Sequence, residues 1–317
     1  MPEPQLPLAT DALTPAAPGG RVDDLVRDFL AGRKATTLRA YRGSLRAYAA
    51  FVGAPSVAEA ARGLLAATAG DAQRVALAWR NALVAAGLAP LTVNSRLAAL
   101  RALVALARLQ GLVSWSIEVR GVGAEVLRDT RGPGRRGVRA LLEEVERAST
   151  PKSLRDRAMI RLMTDLGLRR GEVCSLDVED VDLAEGTVAV LGKGRSAKAR
   201  ITLPEPTKAA LAAWIAERGS DPGALFVSFD RRGARTRLTG TSLARIVRDL
   251  GTAAGVKDLH PHALRHSAIT EALDLTHGDI RAVQRFSRHA DPRTLLLYDD
   301  ARRDGAGEVA KLVADWR

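Results

Sequence analysis

From His260 to Tyr298 the chain reads HPHALRHSAITEALDLTHGDIRAVQRFSRHADPRTLLLY, a stretch that holds all five of its histidines. Tyr298, at the end, is the only tyrosine in the C-terminal two-thirds. His262 and Arg265 stand three apart behind Pro261, and proline is favoured at the first position of a helix. Side chains at i and i+3 share a helix face, so an imidazole and a guanidinium point into one space. His289 follows a second helical run, nine residues before Tyr298. Imidazole, guanidinium and phenol in one place suit a phosphate and a nucleophile.

The chemistry open to such a group is phosphoryl transfer, which needs in-line positioning and charge stabilisation more than anything else. Guanidinium forks match the non-bridging oxygens of a phosphodiester, and Arg169 and Arg265 offer two of them. A phenol such as Tyr298 can attack phosphorus and hold it as an ester. Lys193, on a Gly-rich turn, can protonate the departing alkoxide; His262 can accept a proton or bind a phosphate oxygen, and His289 can donate to another. Each has a plainer reading taken singly: Arg169 suits a surface ion pair with Glu172, and a turn lysine is normally just solvated. No carboxylate cluster with metal spacing accompanies these residues, so no metal or other cofactor is expected.

The elements that must position these groups are mostly helices. Val22, Leu25, Val26, Phe29 and Leu30 form one apolar stripe, and a second helix from Thr36–Thr37 turns Leu38, Tyr41, Leu45, Tyr48 and Phe51 inward. Its other face carries Lys34, Arg39, Arg42 and Arg46. A third helix runs from about Asp71 to Ala86, and a fourth, capped by Thr92, carries Arg96. This predicts a four-helix unit over residues 21–117, after a disordered Pro/Ala leader at 1–20. Residues 118–137, rich in Gly and Arg, read as a flexible linker, and 138–317 as a second domain. There Gly167 stops a helix ahead of Leu168-Arg169. One β signal, Thr187–Val190 and Ile201–Leu203 around LGKGRSAKAR, predicts a hairpin with Lys193 and Lys198 on its turn. The fold class is therefore mainly α with a small β-hairpin or sheet. Val309, Leu312, Val313 and Trp316 give the tail helical apolar spacing, fit to pack on its own domain or on a neighbouring subunit.

Charge points to the partner. The 317 residues carry 48 Lys and Arg against 36 Asp and Glu, a formal charge of +12. That excess, on both domains, suits a polyanion. One cysteine, Cys174, rules out a disulfide framework; between Val173 and Leu176 it reads as a buried structural thiol. With no apolar run of spanning length and no signal peptide at the N-terminus, a cytoplasmic, nucleoid-associated protein is expected.

In order and spacing, Gly167-Leu168-Arg169 with Glu172, Lys193 in Gly-Lys-Gly, His262-Ala263-Leu264-Arg265, His289 and Tyr298 resemble the tyrosine recombinase (phage integrase) family, and length and layout are similar to its Xer-type members. The resemblance spans residues 20–317. It implies a core-binding (SAM-like) N-terminal domain and an α+β catalytic domain whose six catalytic positions are Arg169, Lys193, His262, Arg265, His289 and the nucleophile Tyr298. It further implies double-stranded DNA bound at a specific site, with Lys34, Arg39, Arg42, Arg46, Arg96 and Lys198 as contacts. Four protomers, identical or from a related recombinase, would join two DNA sites, with an accessory translocase as a further partner. Two other classes fit less of the pattern: a DNA-binding regulator with a silent site, and a type IB topoisomerase. There are departures. Ser287-Arg288-His289 replaces the usual Leu-Gly-His, so that Arg288 clashes, touches DNA or points outward, and Asp299-Asp300 follows the tyrosine.

Overall fold

The computed structural model describes residues 18–32, 35–123, 132–192, 197–229, 235–302 and 305–316. Most of the leader, Lys34 and Lys193 lie outside them, as do the side chains of Asp299 and Asp300. The chain divides into two compact units, Met1–Val126 and Leu127–Arg317.

The first unit is built of α1 (Pro18–Leu30), α2 (Ala35–Phe51), α3 (Val57–Ala66), α4 (Ala69–Ala85) and α5 (Pro90–Leu109). Five helices stand where periodicity predicts four. The extra one, α3, is announced by Ser56, whose side chain accepts from the Glu59 N–H at 3.1 Å, an N-cap that satisfies one of the first-turn donors. At α5, Pro90 takes the first turn and Thr92, the expected cap, lies inside the helix. The core is formed by Leu25, Phe29, Leu45, Tyr48, Trp79, Leu97 and Leu100, with Tyr48 edge-on to Trp79 at 5.1 Å. Phe51, expected inward, is 40% exposed.

Residues 116–123, the end of the four-helix unit and the start of the segment read from its Gly and Arg content as a linker, are bound along α4 and α5. Gln73 donates to the Ser116 carbonyl at 2.5 Å and accepts the Glu118 N–H at 3.0 Å. Asn94 does the same for both backbone groups of Val122, at 2.9 and 2.8 Å. Ile117 is buried in the core.

The second unit begins with α6 (Gly134–Glu146), α7 (Pro151–Asp165) and α8 (Arg170–Ser175). A short 3₁₀ turn at Val178–Asp180 leads into β1 (Val181–Asp182), β2 (Thr187–Leu191) and β3 (Lys198–Thr202), an antiparallel sheet in that order. Val188 pairs with Ile201 and Val190 with Ala199, and the alternating Val188 and Val190 are the buried side of β2. Then come α9 (Glu205–Arg218), α10 (Gly240–Ala253), α11 (Pro261–Leu275), α12 (Ile280–Ser287), α13 (Arg293–Arg302) and α14 (Gly305–Asp315). The main core gathers Leu162, Met163, Leu168, Val188, Val190, Trp214 and Phe226. A smaller cluster of Ile269, Leu273, Val283, Leu295 and Tyr298 joins α11, α12 and α13. On the last helix Val313 and Trp316 are exposed, Trp316 by 87%.

Candidate active site

Most of the described candidate side chains stand near the start or end of a helix, and Tyr298 stands within α13. Pro261 opens α11, and the His260 ring caps it by accepting the Ala263 N–H at 2.8 Å. Proline has no N–H to leave unsatisfied, so the helix starts there and sets His262 and Arg265 on one face. His262 is exposed, and the next residue on its face, His266, is buried with its ring 4.1 Å from that of His262. His266 in turn lies edge-on to the Tyr298 ring at 5.0 Å. The i, i+4 spacing of the two histidines was legible, but a place for His266 beneath the tyrosine was not read from it.

Gly167 ends α7 with φ +57°, a conformation that strains any residue with a Cβ, and its own Cβ would meet the Phe286 ring at 3.3 Å. Two residues on, Arg169 is the N-cap of α8. Glu172 closes that turn from below, accepting the Arg169 N–H on Oε2 and its Nη1 on Oε1, both at 2.8 Å. The ion pair expected of Arg169 is therefore present, and it aims the guanidinium. Burial alone would lift the Glu172 carboxyl; the Arg169 N–H and the charges of Arg288 and Arg169 outweigh it and hold it below the usual range.

Arg265 is 1% exposed. It donates to the carbonyls of Gly167 and Ser287, and its Nη2 lies 3.4 Å from His289 Nε2. Burial, with Arg169 beside it, pulls its pKa down to about 9, so it stays charged at neutral pH. His289 has Ser287 Oγ on its Nδ1 at 2.9 Å, and Gln284 donates to its carbonyl at 3.2 Å. A guanidinium has no acceptor, so Nε2 must accept and the ring proton sits on Nδ1, donated to Ser287. Burial first, then Arg265 and Arg169, push the ring's pKa down to about 4, which agrees with that neutral tautomer. The Tyr298 ring, 4% exposed, lies 6.2 Å from the His289 ring.

Arg169 at the start of α8, Arg265 in α11, His289 just past α12 and Tyr298 in the middle of α13 are thus drawn together, with His262 exposed beside them. Lys193 falls outside the described residues. Lys198, expected on DNA, is paired with the buried Asp180 at 2.5 Å, tying β3 to the 3₁₀ turn. Arg39, Arg42 and Arg46 are exposed on α2, and Arg96 is half-buried on α5. Arg288 does not point outward. It turns inward, 11% exposed, onto Glu172. Cys174 is half-buried, and burial pushes its thiol up to about 11, consistent with a structural role. Among the described residues no group of His, Cys, Asp or Glu is placed to hold a metal ion, and no helix is long and apolar enough to cross a membrane.

Residues 135–304 match the family model described as the phage integrase family. The chain belongs to that family. Its relatives include a tyrosine recombinase of Synechocystis sp., 39% identical over 75% of this chain and 77% of its own length. The tyrosine recombinase XerC of a Mycobacterium sp. is 33% identical over 84% of this chain and 88% of its own. Among solved structures, the Tn1549 transposon integrase in complex with transposon right-end DNA superimposes with a TM-score of 0.67 at 17% identity, covering 94% of this chain and 100% of that one. This family member is accordingly a tyrosine recombinase, with the mainly helical fold and the small three-stranded sheet that go with it.

Proposed function

We propose that this recombinase cuts and rejoins double-stranded DNA at a specific site through Tyr298. The Tyr298 oxygen attacks the scissile phosphorus, forming a 3′-phosphotyrosine as the bond from phosphorus to the 5′ oxygen breaks. The leaving oxygen takes its proton from Lys193, and His262 receives the phenolic proton. Arg169 and Arg265 bind the non-bridging oxygens, whose negative charge grows in the transition state. That charge also raises the proton affinity of the His289 ring, so that Nε2, having taken a proton from solvent, donates a hydrogen bond to the phosphate. The freed 5′-hydroxyl attacks the phosphotyrosine of a partner strand, and the product is a Holliday junction. The ester conserves the energy of the broken diester, so no ATP enters, and guanidinium charge does the work that cations do in nucleases.

The observation that carries this reading is the convergence of two guanidiniums, an imidazole and a buried phenol, with Arg265 3.4 Å from His289 and that ring 6.2 Å from Tyr298. The relatives, a tyrosine recombinase and a XerC among them, support it, and so does the DNA held by the Tn1549 integrase. An Xer-type enzyme of four protomers on two sites, docked through the apolar face of α14 around Trp316, suits the length and layout.

Covalent trapping tests it. On a pool of nicked duplex fragments of host genomic DNA the short strand diffuses away after cleavage and the adduct accumulates. The wild-type chain should form the adduct and Tyr298→Phe should bind the pool equally well but form none. Adduct on the Tyr298→Phe chain would remove Tyr298 as nucleophile, and sequencing the wild-type adduct names the site.

A further inference from the structure

Two guanidiniums, those of Arg169 and Arg288, pair with the Glu172 carboxylate beside Arg265, and Arg288 is not among the groups assigned to the reaction. Arg288 ends α12 with φ 57° and ψ 35°, left-handed values that disfavour an arginine. Its N–H bonds the Gln284 carbonyl at 2.8 Å, a closure that glycine would make without strain. The side chain must therefore account for the residue.

That side chain folds back over the end of α7. Nη1 donates to the Phe286 carbonyl at 2.9 Å and the Leu166 carbonyl at 3.3 Å. Nη2 faces the Gly167 carbonyl at 3.4 Å and Glu172 Oε2 at 3.3 Å. Arg265 bridges the same two turns, bonding Gly167 and Ser287. Two guanidiniums thus clamp the end of α12 to the turn between α7 and α8. One of them also pins the carboxylate that aims Arg169. The terminal nitrogens of Arg288 are taken up by carbonyls and Glu172, so it is not aimed at a phosphate.

We infer that Arg288 is a positioning residue for strand cleavage, holding Arg169 through Glu172 and Arg265 through the shared Gly167 carbonyl. The inference rests on the proposed cleavage reaction. It explains why a buried charge occupies a left-handed position. Burial first, then Arg169, disfavours the charged form of Arg288, and Glu172 offsets this only in part, so its pKa stays below the ordinary value. Three like charges against one carboxylate leave an excess of positive charge that a DNA phosphate neutralises.

The test compares Arg288→Gly, Arg288→Lys, Glu172→Gln and the Glu172→Gln/Arg288→Gly double variant in the full chain. Adduct accumulation on the nicked genomic pool, affinity for the same pool and Tm are measured for each. Arg288→Gly relieves the backbone, so Tm should hold or rise and affinity should stay within about twofold, while the rate of adduct formation falls about tenfold to 100-fold, as for a displaced catalytic group. Arg288→Lys keeps the charge without the fork and should recover part of that rate. In the Glu172→Gln background, removing Arg288 should change the rate much less, because the two act as one unit. A wild-type rate from Arg288→Gly would overturn the inference, as would fully multiplicative effects of the two substitutions or a rate loss that only follows Tm. Those outcomes leave the wild-type, Tyr298-dependent adduct in place. Absence of that adduct would instead overturn the cleavage reading, and the inference with it.

Discussion

His289 shows how far one side chain is shaped by its neighbours. Its folded pKa is about 4 against an ordinary 6.5, so below about pH 6.5 the unfolded chain takes up a proton that the folded chain refuses. Proton uptake by the unfolded state lowers stability as pH falls. The His289 contribution is therefore complete above about pH 6.5 and is lost as pH drops toward about 4. Urea denaturation between about pH 7 and pH 5 should show stability declining, and His289→Gln should flatten that slope. An unchanged slope would mean that Arg265 and burial do not act on this ring. At this scale the sequence was informative wherever partners are local: His262 and Arg265 follow from helical spacing behind Pro261. It was silent on Arg288, whose direction is decided by Glu172, 116 residues earlier.

The turns that close helices do much of the positioning, and Gly167 forms one of them. An alanine there must adopt φ +57° and touch the Phe286 ring at 3.3 Å. Gly167→Ala should lose about 1–2 kcal/mol in urea denaturation from the backbone alone. It should also slow cleavage, since the Gly167 carbonyl anchors Arg265. An unaltered denaturation midpoint would show that the turn relaxes without strain. The helices with strong apolar periodicity were legible, as was the hairpin. The short α3 was hidden behind Gly53 and Pro55, which read as a break although Ser56 caps a new helix directly after them. Residues 118–123 read as the start of a flexible linker because composition reports what a backbone can do alone. Here Gln73 and Asn94 supply its hydrogen bonds from distant helices.

Across the whole molecule the formal charge of +12 is the property a DNA partner meets first. Binding should weaken steeply with salt, log K falling by roughly 0.9 per phosphate neutralised. Arg39, Arg42 and Arg46 are exposed along α2. Replacing all three with alanine should reduce the magnitude of the salt slope by roughly 2.7 if each meets one phosphate. Fluorescence anisotropy over a salt series measures it, and an unchanged slope would take that ridge off the DNA.

The packing of Tyr298 carries one more consequence. The phenol rests against Ile269, Leu273, Val283 and Leu295 with 4% of its surface exposed. A basic protein collides with DNA far more often than it finds its target, and a nucleophile on open display would turn collisions into nicks. If Tyr298 is the nucleophile, shelving it in apolar contacts makes fidelity a matter of timing: α13, ten residues long, would loosen before chemistry starts, and the tenure of the protein on its site would decide whether it does.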